Sequence, residues 1–271
     1  MTTEVGTITV TLESPLHLAS GAADVNVDAD VVHDELGLPY FPARRLRGLL
    51  YESAIEVVEM GEASDAAEQF ATRSTVEALF HHDGGNVQLV VDDLHLPDDA
   101  AIAEDWRAIF AAYDGAIRPE DVLAAYTGLR MQTALDEDGR ADDATLRTIR
   151  VLLPTMGNGQ NLSFTGEIAI QNGTQRHWQA LAWAVENLRR AGSHRWRGFG
   201  SVRCKLLPPK SQQENWKRAK QQAMQLATPE GQKSEAAKEA AKEDKDAKRA
   251  KFLAKQQAAQ GKQKSKKKKR R

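Results

Sequence analysis

The chain has 271 residues, with 37 Lys and Arg, 38 Asp and Glu, and a single cysteine, Cys204. One cysteine excludes an internal disulfide framework and a cysteine-based metal site, and no apolar run reaches the roughly eighteen residues that a membrane span needs. The first residues, MTTEVGTITVTLE, lack the basic and apolar regions of a signal peptide. We therefore expect a soluble, cytoplasmic protein.

In chain order, hydrophobic periodicity predicts alternating strands and helices within residues 1–208. The predicted elements are a strand at 7–12, a short strand near 31–32, helices at 42–61 and 66–80, a strand at 86–96, helices at 100–113 and 119–126, a hairpin arm at about 129–165 with its turn near 136–139, a strand at 162–171, a helix at 174–192 and a strand at 200–208. We expect Thr174 to be the N-cap of the last helix and Arg189 and Arg190 to lie in its last turn. This order predicts an α+β fold, ferredoxin-like (RRM-like) with inserted helices.

The net charge of −1 conceals two regions of opposite sign. Residues 1–208 carry 17 basic and 31 acidic residues, and all the basic ones except Lys205 are arginines. Residues 209–271 carry 20 basic and 7 acidic residues, and 16 of the basic ones are lysines. Arginine presents a planar fork suited to phosphate, whereas lysine is a flexible point charge. We therefore predict two domains, 1–208 and 209–271, that meet their partners differently.

The tail, residues 209–271, is rich in Ala, Lys, Glu and Gln. The Glu-to-Lys spacing in EAAKEAAKEDKDAKRAKFLAKQQAAQ predicts a solvated helix, and KSKKKKRR predicts a disordered basic end. The tail has too few apolar residues to build a core. Three roles stay open for it: nonspecific binding of RNA or DNA by counterion release, solubility, and contact with a partner subunit.

A glycine-rich loop, SHRWRGFGS, follows the last predicted helix. Its glycines allow the backbone to approach a partner closely, its arginines suit phosphate, and its aromatic rings can stack on bases. The candidate RNA-binding residues here are Arg195, Trp196, Arg197, Gly198, Phe199 and Gly200. The alternative is an ordinary helix-to-strand turn whose arginines pair with acidic residues.

A second basic motif, PARRLRG, lies at the start of the first predicted helix, where backbone N–H groups also favour phosphate. Its candidate RNA-binding residues are Arg44, Arg45 and Arg47. Together with the arginines at 189, 190, 195, 197 and 203, they make up 8 of the 17 basic residues in residues 1–208. This concentration predicts a phosphate track; the alternative is a set of solvated arginines at helix ends.

The two motifs carry a resemblance. GLPYFPARRLRG and SHRWRGFGSV resemble two motifs of the RAMP superfamily of CRISPR-associated proteins. SPLHLASG, ALFHHDGGNVQLVVDDLHL and the arm resemble further segments in the family's order, so the resemblance covers about residues 7–207. Two features depart from the family pattern: PARRLRG has Ala43-Arg44-Arg45 where the family has small residues, and the lysine-rich tail has no counterpart.

Within the superfamily, the chain is most similar to the backbone subunits of type III effector complexes. Such subunits polymerise along a guide RNA, and many cut the paired target RNA. The resemblance implies guide RNA (crRNA), target RNA, other copies of the chain or other RAMP subunits, and the large subunit of the complex as partners. His17, in the first loop, is a further candidate RNA-binding residue. Guide-directed base pairing supplies sequence specificity in such complexes.

The resemblance further implies a catalytic aspartate in the loop NVDADVVHDELG. Asp28 matches the family position, with Asp30 as the alternative. In the implied chemistry, Asp28 helps to place Mg²⁺ or another divalent cation near the scissile phosphate, with RNA phosphates as further ligands. The alternative is that these acids are surface or turn residues, which are common in loops.

The arm at about 129–165 resembles the family element that wedges between guide and target. Met131, Leu153 and Met156 are the candidate wedge residues, and the alternative is plain hairpin packing. The resemblance leaves three functions open: a guide-RNA-binding backbone subunit that cleaves target RNA in antiviral defence as an endoribonuclease, a non-catalytic subunit of the same kind, or a metal-independent nuclease that processes precursor guide RNA with a histidine base.

Overall fold

The computed structural model describes residues 2–23, 27–63, 70–81, 86–133, 138, 140, 145–195 and 197–226. The chain divides into two units, Met1–Trp216 and Lys217–Arg271. Three of the predictions above lie outside the described residues: those for Trp196, for the turn of the arm apart from Asp138, and for the tail beyond residue 226.

Twelve helices and strands are assigned within the described residues. In chain order they are β1 (Thr3–Leu12), α1 (Ala43–Ala63), α2 (Arg73–Phe80), β2 (Gln88–Val91), α3 (Asp99–Tyr113), α4 (Pro119–Tyr126), β3 (Thr127–Gln132), β4 (Arg147–Leu152), β5 (Ser163–Gln171), α5 (Gln175–Asn187), β6 (Val202–Leu207) and α6 (Lys210–Leu226). The fold is therefore of the mixed α+β class. None of the described helices combines the length and the apolar composition needed to cross a membrane.

A four-stranded antiparallel sheet lies at the centre of the first unit, in the spatial order β2-β5-β1-β6. Strand β1 forms because the segment TITVTL alternates β-branched and apolar residues. Ile8, Val10 and Leu12 are fully buried on one face, while the intervening threonines are half-buried on the other. The apolar face of the sheet thus forms one wall of the core.

Helices α1 and α5 pack against each other, and the buried residues of both helices belong to the same core as those of the sheet. Apolar residues at helical spacing, such as Leu46, Leu50 and Val57 on α1, are buried. A buried hydrogen bond joins the two helices, because Ser53 Oγ donates to the carbonyl oxygen of Ala184 at 2.8 Å. The two helices therefore hold the segments at their ends in fixed positions.

Helix α5 begins after its predicted N-cap, Thr174, but it ends at Asn187, earlier than the sequence predicts. Arg190 forms a bridge with Ser201, so Arg189 and Arg190 do not lie in a last helical turn. The reason is tertiary: the N–H of Ala191 donates to the carbonyl oxygen of Gly200 at 2.8 Å, and the segment pairs with the chain entering β6. The glycine-rich loop is consequently closed at its base.

The described part of the predicted arm contains two paired strands and a separate turn. Strands β3 and β4 form a two-stranded antiparallel sheet from Thr127–Leu152 to Gln132–Arg147. Residues 155–161 form a separate tight turn, closed by a bridge between Thr155 and Asn161. The predicted short strand near residue 31 is an isolated bridge between Ala19 and Val31. This bridge brings the first loop back on itself next to the arm.

Candidate nucleic-acid interface

One open groove brings together two basic segments that are far apart in the sequence. The start of α1 contributes Arg44 and Arg45, and the segment after α5 contributes Gly192, Ser193 and Arg195, around a volume of about 300 Å³. We call this the basic groove. Three of the predicted RNA-binding arginines therefore line a single concave surface.

The three arginines differ in the interaction partners of their side chains. Arg44 is exposed, and its side chain makes no hydrogen bond or ion pair with another described residue. The guanidinium of Arg45 donates to the carbonyl oxygen of Ala19. Arg195 Nη1 lies 2.8 Å from Glu52 Oε2 in a partly exposed ion pair, with the arginine 33% and the glutamate 57% exposed. An exposed ion pair contributes little to stability, so Arg44 and Arg195 are the cations most available to a ligand.

The start of α1 does not offer its first backbone N–H to a ligand. The carboxylate of Asp93 accepts from the backbone N–H of Ala43 at 2.6 Å and so caps the helix. Arg47 also lies outside the basic groove, because its guanidinium donates to the carbonyl oxygens of Leu89 at 2.6 Å and Phe80 at 2.8 Å. Arg47 thereby ties the end of α2 to β2.

The two predicted glycines of the glycine-rich loop play different parts. Gly200 has φ +75°, and a Cβ there would lie 1.9 Å from the carbonyl oxygen of Ala191. Gly198 has φ +85°, with no atom within 4 Å of the equivalent position. Arg197 is exposed, and the half-buried ring of Phe199 lies 6.4 Å from that of His194. The fold therefore needs Gly200, whereas Gly198 leaves backbone surface open.

His17 lies beneath the basic groove rather than on its surface. The residue is 2% exposed, and its ring donates from Nδ1 to the carbonyl oxygen of Arg150 at 2.8 Å. Burial lowers the pKa of His17, and the nearby His194 and Arg45 lower it further. Its carbonyl oxygen accepts from the N–H of Ser193 at 2.9 Å. The residue therefore supports the wall of the groove.

The acidic loop, residues 27–34, lies along the outer edge of β4. Ala29 forms a parallel bridge with Ile149, and the N–H of Asp28 donates to the carbonyl oxygen of Thr148 at 2.8 Å. The N–H of Thr148 in turn donates to Asp28 Oδ2 at 2.6 Å. Asp28 is exposed, so its carboxylate has a fixed position and faces solvent.

The other acids of this loop are used by the fold. Asp30 Oδ1 lies 2.9 Å from Arg150 Nε, and the two side chains are only 16% and 17% exposed. Asp34 Oδ1 accepts from the backbone N–H groups of Leu36 at 2.9 Å and Leu38 at 2.8 Å. Of the two candidate catalytic residues, only Asp28 thus presents an exposed carboxylate.

The described residues do not form a metal site by themselves, since no group of three or more His, Cys, Asp or Glu side chains among them could hold a metal ion. Divalent cations such as Mg²⁺ need several oxygen ligands. Among the described residues, Asp28 is therefore the one candidate ligand of the predicted cation site, and the further ligands that the resemblance implies, RNA phosphates, stay a prediction.

The predicted wedge residues are not equivalent. Met131 is 74% exposed on β3, whereas Leu153 lies against Gly128 and Met156 packs against the core. Two exposed residues that the sequence analysis did not single out, Leu129 and Leu146, are 52% and 64% exposed. Because side chains along a strand alternate between its two faces, Leu129 lies on the same face of β3 as Met131. This alternation could have been recognised from the sequence alone.

Several known proteins are similar to this chain. The model of the RAMP superfamily matches residues 9–203, and no curated protein matches. A chain in the cryo-EM structure of the type III-B Cmr-beta bound to cognate target RNA is 12% identical with a TM-score of 0.47, covering 76% of this chain and 97% of that one. A chain in the apo state of type III-B Cmr-beta is 11% identical with a TM-score of 0.49, covering 74% and 96%.

Proposed function

The chain belongs to the RAMP superfamily, and from this premise we propose that it is a guide-RNA-binding backbone subunit of a type III CRISPR effector complex that cleaves the guide-paired target RNA through Asp28. In this proposal its partners are guide RNA, target RNA, further copies of itself or other RAMP subunits, and the large subunit of the complex. The ferredoxin-like core belongs to the same proposal. The strand order β2-β5-β1-β6 supports it, as does the chain order β1-α1-β2 and β5-α5-β6.

The basic groove is the observation that carries the RNA-binding part of the proposal. Acidic residues outnumber basic ones by 31 to 17 in residues 1–208, yet Arg44, Arg45 and Arg195 line one concave surface. A concave surface lined by cations focuses the electrostatic field and attracts an anionic backbone. RNA phosphates in this groove replace Glu52 as the partner of Arg195, while the open backbone at Gly198 allows close approach.

The exposed carboxylate of Asp28 supports the catalytic part. Because the N–H of Thr148 holds one of its oxygens at 2.6 Å, the group does not need to be ordered when substrate arrives. Asp28 would then orient the attacking 2′-hydroxyl or water, and it is the residue of this chain that would hold a divalent cation, which would supply charge stabilisation near the scissile phosphate. The alternative of a histidine-based precursor nuclease finds no support in the first loop, since His17 is buried.

The proposal is tested by removing the two available cations of the groove. We expect Arg44→Ala/Arg195→Ala to weaken binding of a single-stranded RNA by about tenfold or more, because each arginine loses a charge-assisted contact. The matched control is Arg107→Ala/Arg176→Ala, which removes two exposed arginines outside the groove. Equal losses of affinity in the two double variants, measured at one salt concentration, would show that binding is diffuse and would contradict the proposal.

A further inference from the structure

Arg150, on β4, contacts three other parts of the first unit. Its Nε lies 2.9 Å from Asp30 Oδ1, and its Nη1 donates to the hydroxyl of Thr127 at 3.3 Å. Its backbone N–H donates to the carbonyl oxygen of Ala29 at 3.0 Å, and its own carbonyl oxygen accepts from His17 at 2.8 Å. One residue thus joins the acidic loop, the first loop and both strands of the arm.

The ion pair with Asp30 is the side-chain contribution to this junction. Both side chains are largely shielded from water, at 17% and 16% exposed, so their attraction is screened less than that of a surface pair. Asp30 Oδ1 also accepts from the N–H of Val31 at 2.7 Å, which fixes the carboxylate relative to the loop backbone. The pair therefore pins the acidic loop to β4 two residues beyond Asp28.

We infer that Arg150 is a positioning residue for Asp28: through Asp30 it holds the acidic loop against β4, and this contact keeps the carboxylate of Asp28 in its fixed place. The catalytic part of this inference rests on the proposed function. The structural part does not, because the contact between Asp28 and Thr148 exists in the protein without RNA. Arg150 itself touches neither RNA nor a reacting group in this account.

Hydrogen exchange of the RNA-free protein tests the structural part. Arg150→Gln removes the charge of the pair, and we expect protection of the Asp28 and Thr148 amides to fall by about tenfold or more because the loop loses its anchor. Arg147→Gln, an exposed arginine on the same strand, is the matched control. The nearly isosteric Asp30→Asn removes the negative charge of the pair and should lower the protection of the same amides. This second variant keeps the test decisive if Arg150→Gln folds poorly.

Protection of the central-sheet amides, such as those of Val10 and Ile168, reports whether each variant is folded. Unchanged protection at Asp28 and Thr148 in folded Arg150→Gln and Asp30→Asn would overturn the inference. Loss of protection in these two variants but not in Arg147→Gln would support it, whether or not the protein cleaves RNA.

The catalytic part is measured on the full-length chain loaded with guide RNA, with target RNA and Mg²⁺. We expect Arg150→Gln to lower kcat by about 10- to 100-fold, as loss of a supporting contact does at other sites, while the KM for target and the affinity for guide stay unchanged. A rise in KM with kcat unchanged would overturn the assignment of Arg150 as a positioning residue. Absence of cleavage by the wild-type protein, with the exchange result intact, would refute the proposed cleavage and leave the anchoring of the loop standing.

Discussion

The basic groove and the acidic loop hold their charged groups in opposite ways. In the groove, the side chain of Arg44 has no partner among the described residues, and that of Arg195 has a partly exposed ion pair with Glu52. In the loop, the carboxylate of Asp28 is bonded to the backbone of β4, and Asp30 is held in a shielded ion pair. The groove can exchange its partners for a ligand at little cost, whereas the loop presents a preset carboxylate. Binding and cleavage should therefore respond separately to mutation.

The largest expected effect is at Asp28. Asp28→Asn keeps an oxygen that can accept from the N–H of Thr148 but removes the charge, so we expect cleavage of guide-paired target RNA in Mg²⁺ to fall by about 100-fold or more. Affinity for guide RNA and thermal stability should stay unchanged. Glu35→Gln, an exposed acid of the neighbouring turn, serves as the control. Full cleavage by Asp28→Asn would remove this residue from the catalytic site.

The next effect separates the two glycines of the loop. Gly200→Ala brings a Cβ to 1.9 Å from the carbonyl oxygen of Ala191, and we expect the free energy of unfolding to fall by about 3 kcal/mol. Gly198→Ala meets no atom and should lose only about 1 kcal/mol through its positive φ. Urea denaturation measures both. Equal losses would mean that the loop is not closed at its base as described.

A smaller effect is expected from Glu52, the acid of the basic groove. Its carboxylate competes with RNA phosphate for Arg195 and repels it, so Glu52→Gln should tighten binding of a single-stranded RNA by about threefold. Glu104→Gln, an exposed acid on α3, makes the same change of charge outside the groove. Weaker binding by Glu52→Gln would show instead that Glu52 orients Arg195 for the ligand.

The smallest effect concerns pH and the support beneath the groove. Because burial lowers the pKa of His17 from its ordinary value of 6.5, the unfolded chain binds a proton more readily than the folded one. Stability should therefore fall as the pH drops below about 6.5, with His177 acting in the same direction because burial lowers its pKa too. The slope of Tm against pH should be shallower in His17→Gln. An unchanged slope would contradict the conclusion that the His17 ring is buried and neutral in the folded protein.

Local patterns were sufficient for much of the fold. The alternation in β1 and β5 and the helical patterns over α3 and α4 predicted these elements to within a few residues, because the period of the apolar residues is a local property of the sequence. The predicted C-terminal end of α5 was wrong. It is set by the pairing of Ala191 with Gly200, a contact between segments that no local pattern records.

The candidate site was less predictable for the same reason. The sequence offered Arg47 as a member of the phosphate track, but its guanidinium is held by the carbonyl oxygens of Phe80 and Leu89. It favoured Asp28 by motif and kept Asp30 as the alternative, but the physical difference between their carboxylates lies in β4, where Thr148 contributes a backbone N–H and Arg150 a guanidinium. The tertiary structure decides which charged side chains are free to bind a ligand and which are held by other residues.

Ultraviolet crosslinking shows where RNA contacts the chain and therefore whether RNA lies in the basic groove. The full-length chain is irradiated with bound RNA, and the crosslinked peptides are identified by mass spectrometry. We expect crosslinks in residues 42–52 and 190–200, and we expect them to decrease in Arg44→Ala/Arg195→Ala. Crosslinks confined to other parts of the chain, such as residues 227–271, would contradict this expectation.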